Sequence, residues 1–161
     1  MIRPMKQEEI PVCVALIRSS FLTVAEEFGF TAENAPRFTA FATTEQRLTW
    51  HLYGEKRPMY VYENETGEII GYYSLLMQED NECELNNLCV APEYRHGKIG
   101  ERLLEHAFAQ AAAAGCKTMH IGIVEENGKL RKWYETYGAV HTGTKKFDFF
   151  PFTCGYMEKN L

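Results

Sequence analysis

The chain has 161 residues, of which 45% are hydrophobic, 13% aromatic and 24% charged, and its formal net charge is −5. This length and composition predict one globular domain over residues 1–161, with enough apolar side chains to bury a core. The acidic balance argues against a dedicated nucleic-acid-binding protein, which would normally carry a basic face.

The five cysteines are scattered without CxxC spacing. This argues against a zinc site or a disulfide framework and fits a reducing compartment. The first residues lack the apolar stretch of a signal peptide, and no apolar run is long enough to span a bilayer. We therefore expect a cytoplasmic protein with no bound metal and no membrane partner.

Apolar spacing along the first half predicts short strands and helices. Residues 23–43 are difficult to interpret because Gly29 and Pro36 interrupt an aromatic-rich run, and we expect a loop with short helical pieces there. In order, we expect a strand at 1–5, a helix at 7–21, this loop, a helix at about 44–54, and strands at 59–63, 69–78 and 84–90.

The stretch from Glu84 to Gly115 is the centre of the predicted fold. Its strand ends at Pro92, which has no N–H to donate, and a short basic loop then leads into a helix with apolar residues at helical spacing. Further on we expect a strand at 118–124, a helix capped by Asn127 and closed by Gly138, and two strands at 139–149 and 152–159.

This element order predicts a mixed α/β domain with a mostly antiparallel sheet of about seven strands and about four helices. The strands before the central helix should form an antiparallel meander. The step from Glu84 to Val124 should be a right-handed parallel crossover.

The loop before the central helix has the chemistry of an anion site. The first N–H groups of a helix lack partners, and its N-terminus carries a partial positive charge. Gly97 and Gly100 leave room beside the backbone, and Arg95 and Lys98 add full charges. On the glycines alone, an ordinary solvated basic turn is the preferred explanation.

The residue order is more specific than the glycines. Residues 90–104, VAPEYRHGKIGERLL, resemble the acyl-CoA-binding motif of the GCN5-related N-acetyltransferase family, Arg/Gln-x-x-Gly-x-Gly/Ala. Lys98 is a departure, since it stands where the family usually has its first glycine. The resemblance covers nearly the whole chain and implies the acyl-CoA N-acyltransferase fold, with acetyl-CoA as co-substrate. The cofactor-binding residues it implies are Leu88, Cys89, Val90, Arg95, His96, Gly97, Lys98, Ile99, Gly100 and Asn127.

Two residues are candidates for catalysis if the chain binds acetyl-CoA. Glu84 lies at the spacing from Val90 at which the histone-acetyltransferase branch has its glutamate base, and a solvated carboxylate beside Glu82 is the alternative. Tyr134 belongs to a segment resembling the family's second conserved motif, in which the tyrosine commonly protonates the departing thiolate. A core aromatic beside Trp133 is the alternative for Tyr134. Asn127 of the same segment either contacts the cofactor or caps its helix.

The acceptor is predicted to be a primary amine of a small molecule or peptide. An aromatic-lined cleft would suit it, and the rings considered for that cleft are Phe21, Phe28, Phe30, Phe38, Phe41, Tyr73, Phe149, Phe150 and Phe152. The function expected is therefore N-acetyl transfer by direct attack of the amine. A non-catalytic acyl-CoA-binding or regulatory module and a generic phosphate-loop nucleotide binder are the other hypotheses, and a homodimer is compatible with the sequence.

Overall fold

The computed structural model describes all 161 residues and contains one seven-stranded sheet in the order β1-β2-β3-β4-β5-β7-β6. The strands are β1 (Ile2–Pro4), β2 (Met59–Glu63), β3 (Ile69–Met77), β4 (Glu82–Val90), β5 (Thr118–Val124), β6 (Val140–Lys146) and β7 (Thr153–Asn160). The helices are α1 (Ile10–Phe28), α2 (Thr39–Ala42), α3 (Glu45–Thr49), α4 (Ile99–Ala113) and α5 (Gly128–Thr136). The longest, α1, has 19 residues, and neither it nor any other helix has both the length and the apolar character needed to cross a membrane.

Strand alternation divides the sheet into two faces. Leu85 of β4 and Ile121 of β5 pack with α4 and α5, in the same core cluster as the fully buried Leu103 of α4. We call this side the α4 face. On the opposite side, the α1 face, Tyr72 of β3 packs with Ile17 of α1 in a second cluster. Each face has its own apolar core, because period-two alternation sends neighbouring side chains to opposite sides.

The sheet opens at its centre, between β4 and β5. These strands are the parallel pair of the sheet, and their register begins at Glu82 and Thr118 and stops at Leu85 and Ile121. Asn87 has φ of 56°, and the pairing of β3 with β4 is irregular at the same place, so β4 bulges there. We call the space between residues 86–90 and 122–124 the β4–β5 gap.

The predicted mixed sheet, antiparallel meander and parallel crossover are confirmed. The structure has five α-helices where about four were expected, because α2 is a separate short helix. The first helix, α1, continues past the predicted end at Phe21 to Phe28. The expected loop beginning at residue 23 was wrong for this reason. Ala25 is fully buried on the extended helix, and Gly29, with φ of 75°, ends it in the left-handed conformation.

Candidate active site

Residues 95–100, the glycine loop, connect β4 to α4 and leave several backbone N–H groups unpaired. Lys98 is the N-cap of α4 and provides no side-chain cap. The first helical bond of α4 runs from the Arg102 N–H to the Lys98 carbonyl, at 3.1 Å. The amides of residues 99–101 therefore precede the intrahelical bonding pattern and are available to an external acceptor.

The shape of the glycine loop suits an extended anion. His96 and Lys98 have φ of 71° and 62°, and left-handed residues in such a loop turn successive N–H groups toward a common concave site. A Cβ on Gly97 would meet its nearest atom at 3.6 Å, and a Cβ on Gly100 would likewise come no closer than 3.6 Å to any atom. Packing therefore does not require either glycine, since a Cβ at each position would make only ordinary van der Waals contacts.

The Arg95 side chain faces away from this anion site. Its guanidinium donates to the Ser20 carbonyl and the Thr23 hydroxyl of α1, each at 2.9 Å, and its Nε lies 3.3 Å from the Val90 carbonyl. Arg95 thus ties the glycine loop to α1 and to the end of β4. The exposed side chains of Lys98 and His96 remain as the cationic groups of the loop itself.

Lys98 has the left-handed backbone conformation that favours glycine, with φ of 62° and ψ of 16°, and it adopts this conformation at a cost. A non-glycine residue in the left-handed region costs about 1–2 kcal/mol, whereas glycine loses roughly 0.5–1 kcal/mol of unfolded-state entropy. We expect Lys98→Gly to raise the free energy of unfolding, measured in urea, by about 0.5–1 kcal/mol.

The matched control for this prediction is Lys132→Gly, an exposed position inside α5. Glycine in a helix interior is unfavourable by about 1 kcal/mol, so this variant should be less stable than the wild type. Equal destabilisation by both changes would show that the Lys98 backbone carries no strain.

The β4–β5 gap exposes main-chain groups next to the glycine loop. The Ala91 N–H bonds the Ile70 carbonyl of β3, so alternation directs the backbone groups of Leu88 and Val90 away from β3, toward the gap. The Val90 carbonyl accepts from the Ser20 hydroxyl at 3.1 Å. An extended chain inserted into the gap would find strand-like partners there.

Cys89 lies beside the gap but is not available as a nucleophile. Its side chain is buried in the cluster on the α1 face, and burial raises the pKa of the thiol to about 12. The thiol therefore stays protonated at neutral pH. By the same alternation that turns Leu88 and Val90 toward the gap, the backbone groups of Cys89 face Tyr72 of β3.

Glu84 lies within the sheet rather than at a strand end, since β4 begins at Glu82. It is half-buried, pairs with Leu76 of β3 and with His120 of β5, and its carboxylate accepts a long hydrogen bond of 3.4 Å from Gln78. The pairing of β4 with β5 ends one residue after Glu84, at Leu85. A carboxylate at the mouth of the gap is well placed to take a proton.

His120 is a neighbour of Glu84 that the sequence analysis did not single out. It stands directly opposite Glu84, its Nε2 lies 3.1 Å from the Glu82 carboxylate, and its Nδ1 lies 3.6 Å from that of Glu158. Strand alternation in the sequence predicts this placement, because burial of Met119 and Ile121 on one face of β5 leaves His120 on the other face, together with Glu84.

Tyr134 and Asn127 come from the helix that follows β5. Tyr134 is 6% exposed in the core of the α4 face, its ring packs edge-on to Trp133 at 5.0 Å, and burial raises the pKa of its phenol above the ordinary value. Asn127 caps α5, since its side-chain oxygen accepts from the Leu130 N–H at 3.2 Å. Its side-chain amide nitrogen is not used by this cap.

The nine rings considered for the acceptor cleft form one cluster, with the exception of Tyr73. Rings from α1, the segment 30–41 and the β6–β7 connection pack on one another, as in the pair Phe30 and Phe152 at 4.7 Å. Tyr73 is the exception and a correction to the predicted cleft, because strand alternation places it on the α4 face. There its hydroxyl lies 2.6 Å from His106 Nδ1.

Comparison with known proteins places these features in a family. The acetyltransferase (GNAT) family profile matches residues 23–139. Over 81 residues the chain is 28% identical to an uncharacterized N-acetyltransferase of Mycobacterium tuberculosis, a match that covers 50% of this chain and 52% of the relative. It is 45% identical over 81 residues to an amino-acid acetyltransferase of Pseudomonas fluorescens, covering 50% of this chain and 18% of that protein. The chain therefore spans about half, or less, of the curated relatives it matches.

A solved structure shares the whole fold. The crystal structure of PaiA N-acetyltransferase from Thermoplasma acidophilum, in complex with coenzyme A, superposes with a TM-score of 0.85 at 19% identity, covering 100% of this chain and 98% of that one. At this identity the likeness concerns the arrangement of the strands and helices.

Proposed function

The chain belongs to the acetyltransferase (GNAT) family, and from that premise we propose that it transfers an acetyl group from acetyl-CoA to a primary amine of a small molecule or peptide. The observation that carries the proposal is the adjacency of two features. The glycine loop offers unpaired amides to a diphosphate, and the β4–β5 gap that begins beside it offers strand-like backbone groups to an extended arm. Coenzyme A contains both parts.

Each predicted binding residue has a distinct part in this proposal. The amides of Ile99 and Gly100, with the loop backbone from Arg95 through His96 and Gly97 to Lys98, would hold the diphosphate. The backbone groups of Leu88 and Val90, on either side of Cys89, would pair with the pantetheine arm. The free side-chain nitrogen of Asn127 adds a donor on the α5 side.

Acetyl-CoA supplies the activated acyl group, and the side chains of this protein move the protons. An alkyl ammonium with a pKa of ~10.4 must lose a proton before it can attack, and Glu84 accepts that proton directly or through a water. The Tyr134 hydroxyl donates a proton to the departing sulfur. Burial raises the pKa of Tyr134, but the same low-polarity surroundings also raise the basicity of a thiolate held beside it, so the donation remains feasible.

We also propose that residues 1–161 act as one domain and that the enzyme works in the cytoplasm. One continuous sheet runs from β1 to β6. All five cysteines are free thiols, and four of them are buried. Free thiols are typical of a reducing compartment.

The proposal is tested by placing a negative charge in the anion site. We expect wild-type protein to bind acetyl-CoA in isothermal titration, and Gly97→Asp to bind it at least 10-fold more weakly, because two like charges about 4 Å apart near a protein surface repel by several kcal/mol. Gly97 is exposed and its Cβ position is open, so the variant should fold.

The control is Gly143→Asp, which adds the same charge to the edge strand β6, where a Cβ meets nothing within 4 Å. It should bind acetyl-CoA as the wild type does. Wild-type protein that fails to bind acetyl-CoA, or equal affinities for all three proteins, would contradict the proposed function.

A further inference from the structure

Four buried polar atoms on the α1 face have no hydrogen-bond partner. Buried polar groups are nearly always paired in folded proteins, so such a group of orphans requires a reason. The four atoms are His51 Nδ1, Arg57 Nε, the Tyr72 hydroxyl and the Ser74 hydroxyl.

These four groups lie together. Tyr72 and Ser74 are on the same side of β3, and both are fully buried. The Arg57 guanidinium is close enough to Tyr72 to lower its pKa, although burial acts more strongly and raises it. The Arg57 N–H donates to the His51 carbonyl at 2.9 Å, which brings these two residues side by side.

His51 and Arg57 also line a cavity of about 600 Å³, together with Arg47, Trp50 and Glu55. We call it the arginine cavity. Arg57 contacts the Glu55 carboxylate at 3.0 Å, whereas Arg47 makes no ion pair, so cationic charge exceeds anionic charge in the lining. His51 is 8% exposed, and its Nδ1, like Arg57 Nε, has almost no accessible surface, so these two atoms lie behind the positively charged lining rather than at its surface.

The arginine cavity is close to the candidate base. Ser74 pairs with Asn86 of β4, and Leu76 pairs with Glu84. Arg57, which lines the cavity, precedes Pro58, whose carbonyl accepts from the Leu75 N–H of β3. With strands about 4.8 Å apart, the backbones of Arg57 and Glu84 are separated by the width of β3, roughly 10 Å, which a small acceptor between their side chains can span.

We propose that the arginine cavity binds an anionic group of the acceptor, which is therefore a small amine that also carries a carboxylate or a phosphate. This inference rests on the proposed function for the fate of the amine. Guanidinium groups bind carboxylate and phosphate oxygens through paired N–H donors. Because Arg47 and Arg57 both line the cavity, an anion there can bind their terminal guanidinium N–H groups.

The test compares acceptors that differ only in the anion. Turnover is measured by thiol release at saturating acetyl-CoA with L-amino acids against their carboxamides, and with O-phosphoethanolamine against ethanolamine. We expect at least one anionic amine to have a kcat/KM 10-fold or more above that of its neutral partner, mainly through KM. Arg57→Gln and Arg47→Gln should each reduce that preference to threefold or less.

The matched control is Lys56→Gln, which removes an equal charge from an exposed residue adjacent to Arg57 that does not line the cavity. It should keep the wild-type preference. Arg47 is exposed and unpaired, so its variant stays informative even if Arg57→Gln does not fold. The absence of any preference for anionic amines, or an equal loss in Arg47→Gln and Lys56→Gln, would overturn the inference.

A second measurement separates this inference from the proposed function. Melting temperature is recorded with 20 mM phosphate or acetate in the presence of saturating coenzyme A, which occupies the glycine loop. We expect phosphate, acetate or both to raise the melting temperature of the wild type and of Lys56→Gln but not of Arg47→Gln. This pattern without turnover of any amine would reject the proposed function and support the anion site, whereas no shift with either anion would overturn the site.

Discussion

Tyr134→Phe is expected to lower kcat for acetyl transfer by about 10²–10³-fold, within the range that one positioned general acid contributes. Phenylalanine keeps the ring that packs on Trp133 in the core of the α4 face and removes only the hydroxyl. The affinity for acetyl-CoA should therefore change by less than threefold. Steady-state kinetics by thiol release, with calorimetry of acetyl-CoA binding, measure the two quantities.

The raised pKa of Tyr134 also predicts how the kcat of the wild type depends on pH. Because burial raises the pKa of this phenol, the hydroxyl keeps its proton throughout the neutral range and past pH ~10, the ordinary pKa of tyrosine. The wild type should consequently show no loss of kcat from tyrosine ionisation between pH 7 and 9. The control is Tyr137→Phe, at the C-cap of α5, which should retain wild-type kinetics. Full activity in Tyr134→Phe across this range would remove Tyr134 from the mechanism.

Glu84→Gln should lower kcat/KM at pH 7 by about 10²–10³-fold, because glutamine cannot accept a proton. Raising the pH toward ~10 should recover much of the loss, since the substrate amine then deprotonates without a base. The pH profile distinguishes a lost base from lost packing, which would lower activity at every pH. Profiles of wild type and variant with one amine are sufficient.

Glu79→Gln is the matched control for Glu84. Glu79 is an exposed carboxylate in the turn before β4, and its variant should follow the wild-type profile. If Glu84→Gln were as active as the wild type at pH 7, the base would have to be another group. His120 would then be the first candidate, since it faces Glu84 across the two strands and is held by Glu82.

Much of the fold was predictable from local pattern. The central strand, the following helix and the crossover to β5 carry strong period-two and period-3.6 signals, and the structure confirms them. The end of α1 was not predictable by the same means. Aromatic residues between 21 and 38 pack with Phe152 from the far end of the chain. Local sequence pattern does not predict a tertiary contact between segments so far apart. The strand predicted at 139–149 was too long for a similar reason, since Phe147, Phe149 and Phe150 pack on one another beyond the end of β6 at Lys146.

The candidate site was predictable where the motif is contiguous. Residues 95–100 and Asn127 are recognised from their own neighbourhoods. Groups assembled from separate strands were not, and His120 and the arginine cavity are examples. Arg57 comes close to Tyr72 because the Pro58 carbonyl, just before β2, accepts from the Leu75 N–H of β3, and the sequence spacing of these residues does not predict that contact.

The short register between β4 and β5 has a mechanical consequence. Four residue pairs join one half-sheet, β1 to β4, to the other, β5 with β7 and β6. Beyond Leu85 and Ile121 the two halves share no ladder, so less than half of β4 contributes to holding them together. An extended ligand that paired with both strands would continue the ladder and would thereby restrain the spacing between groups contributed by β4 and by α5.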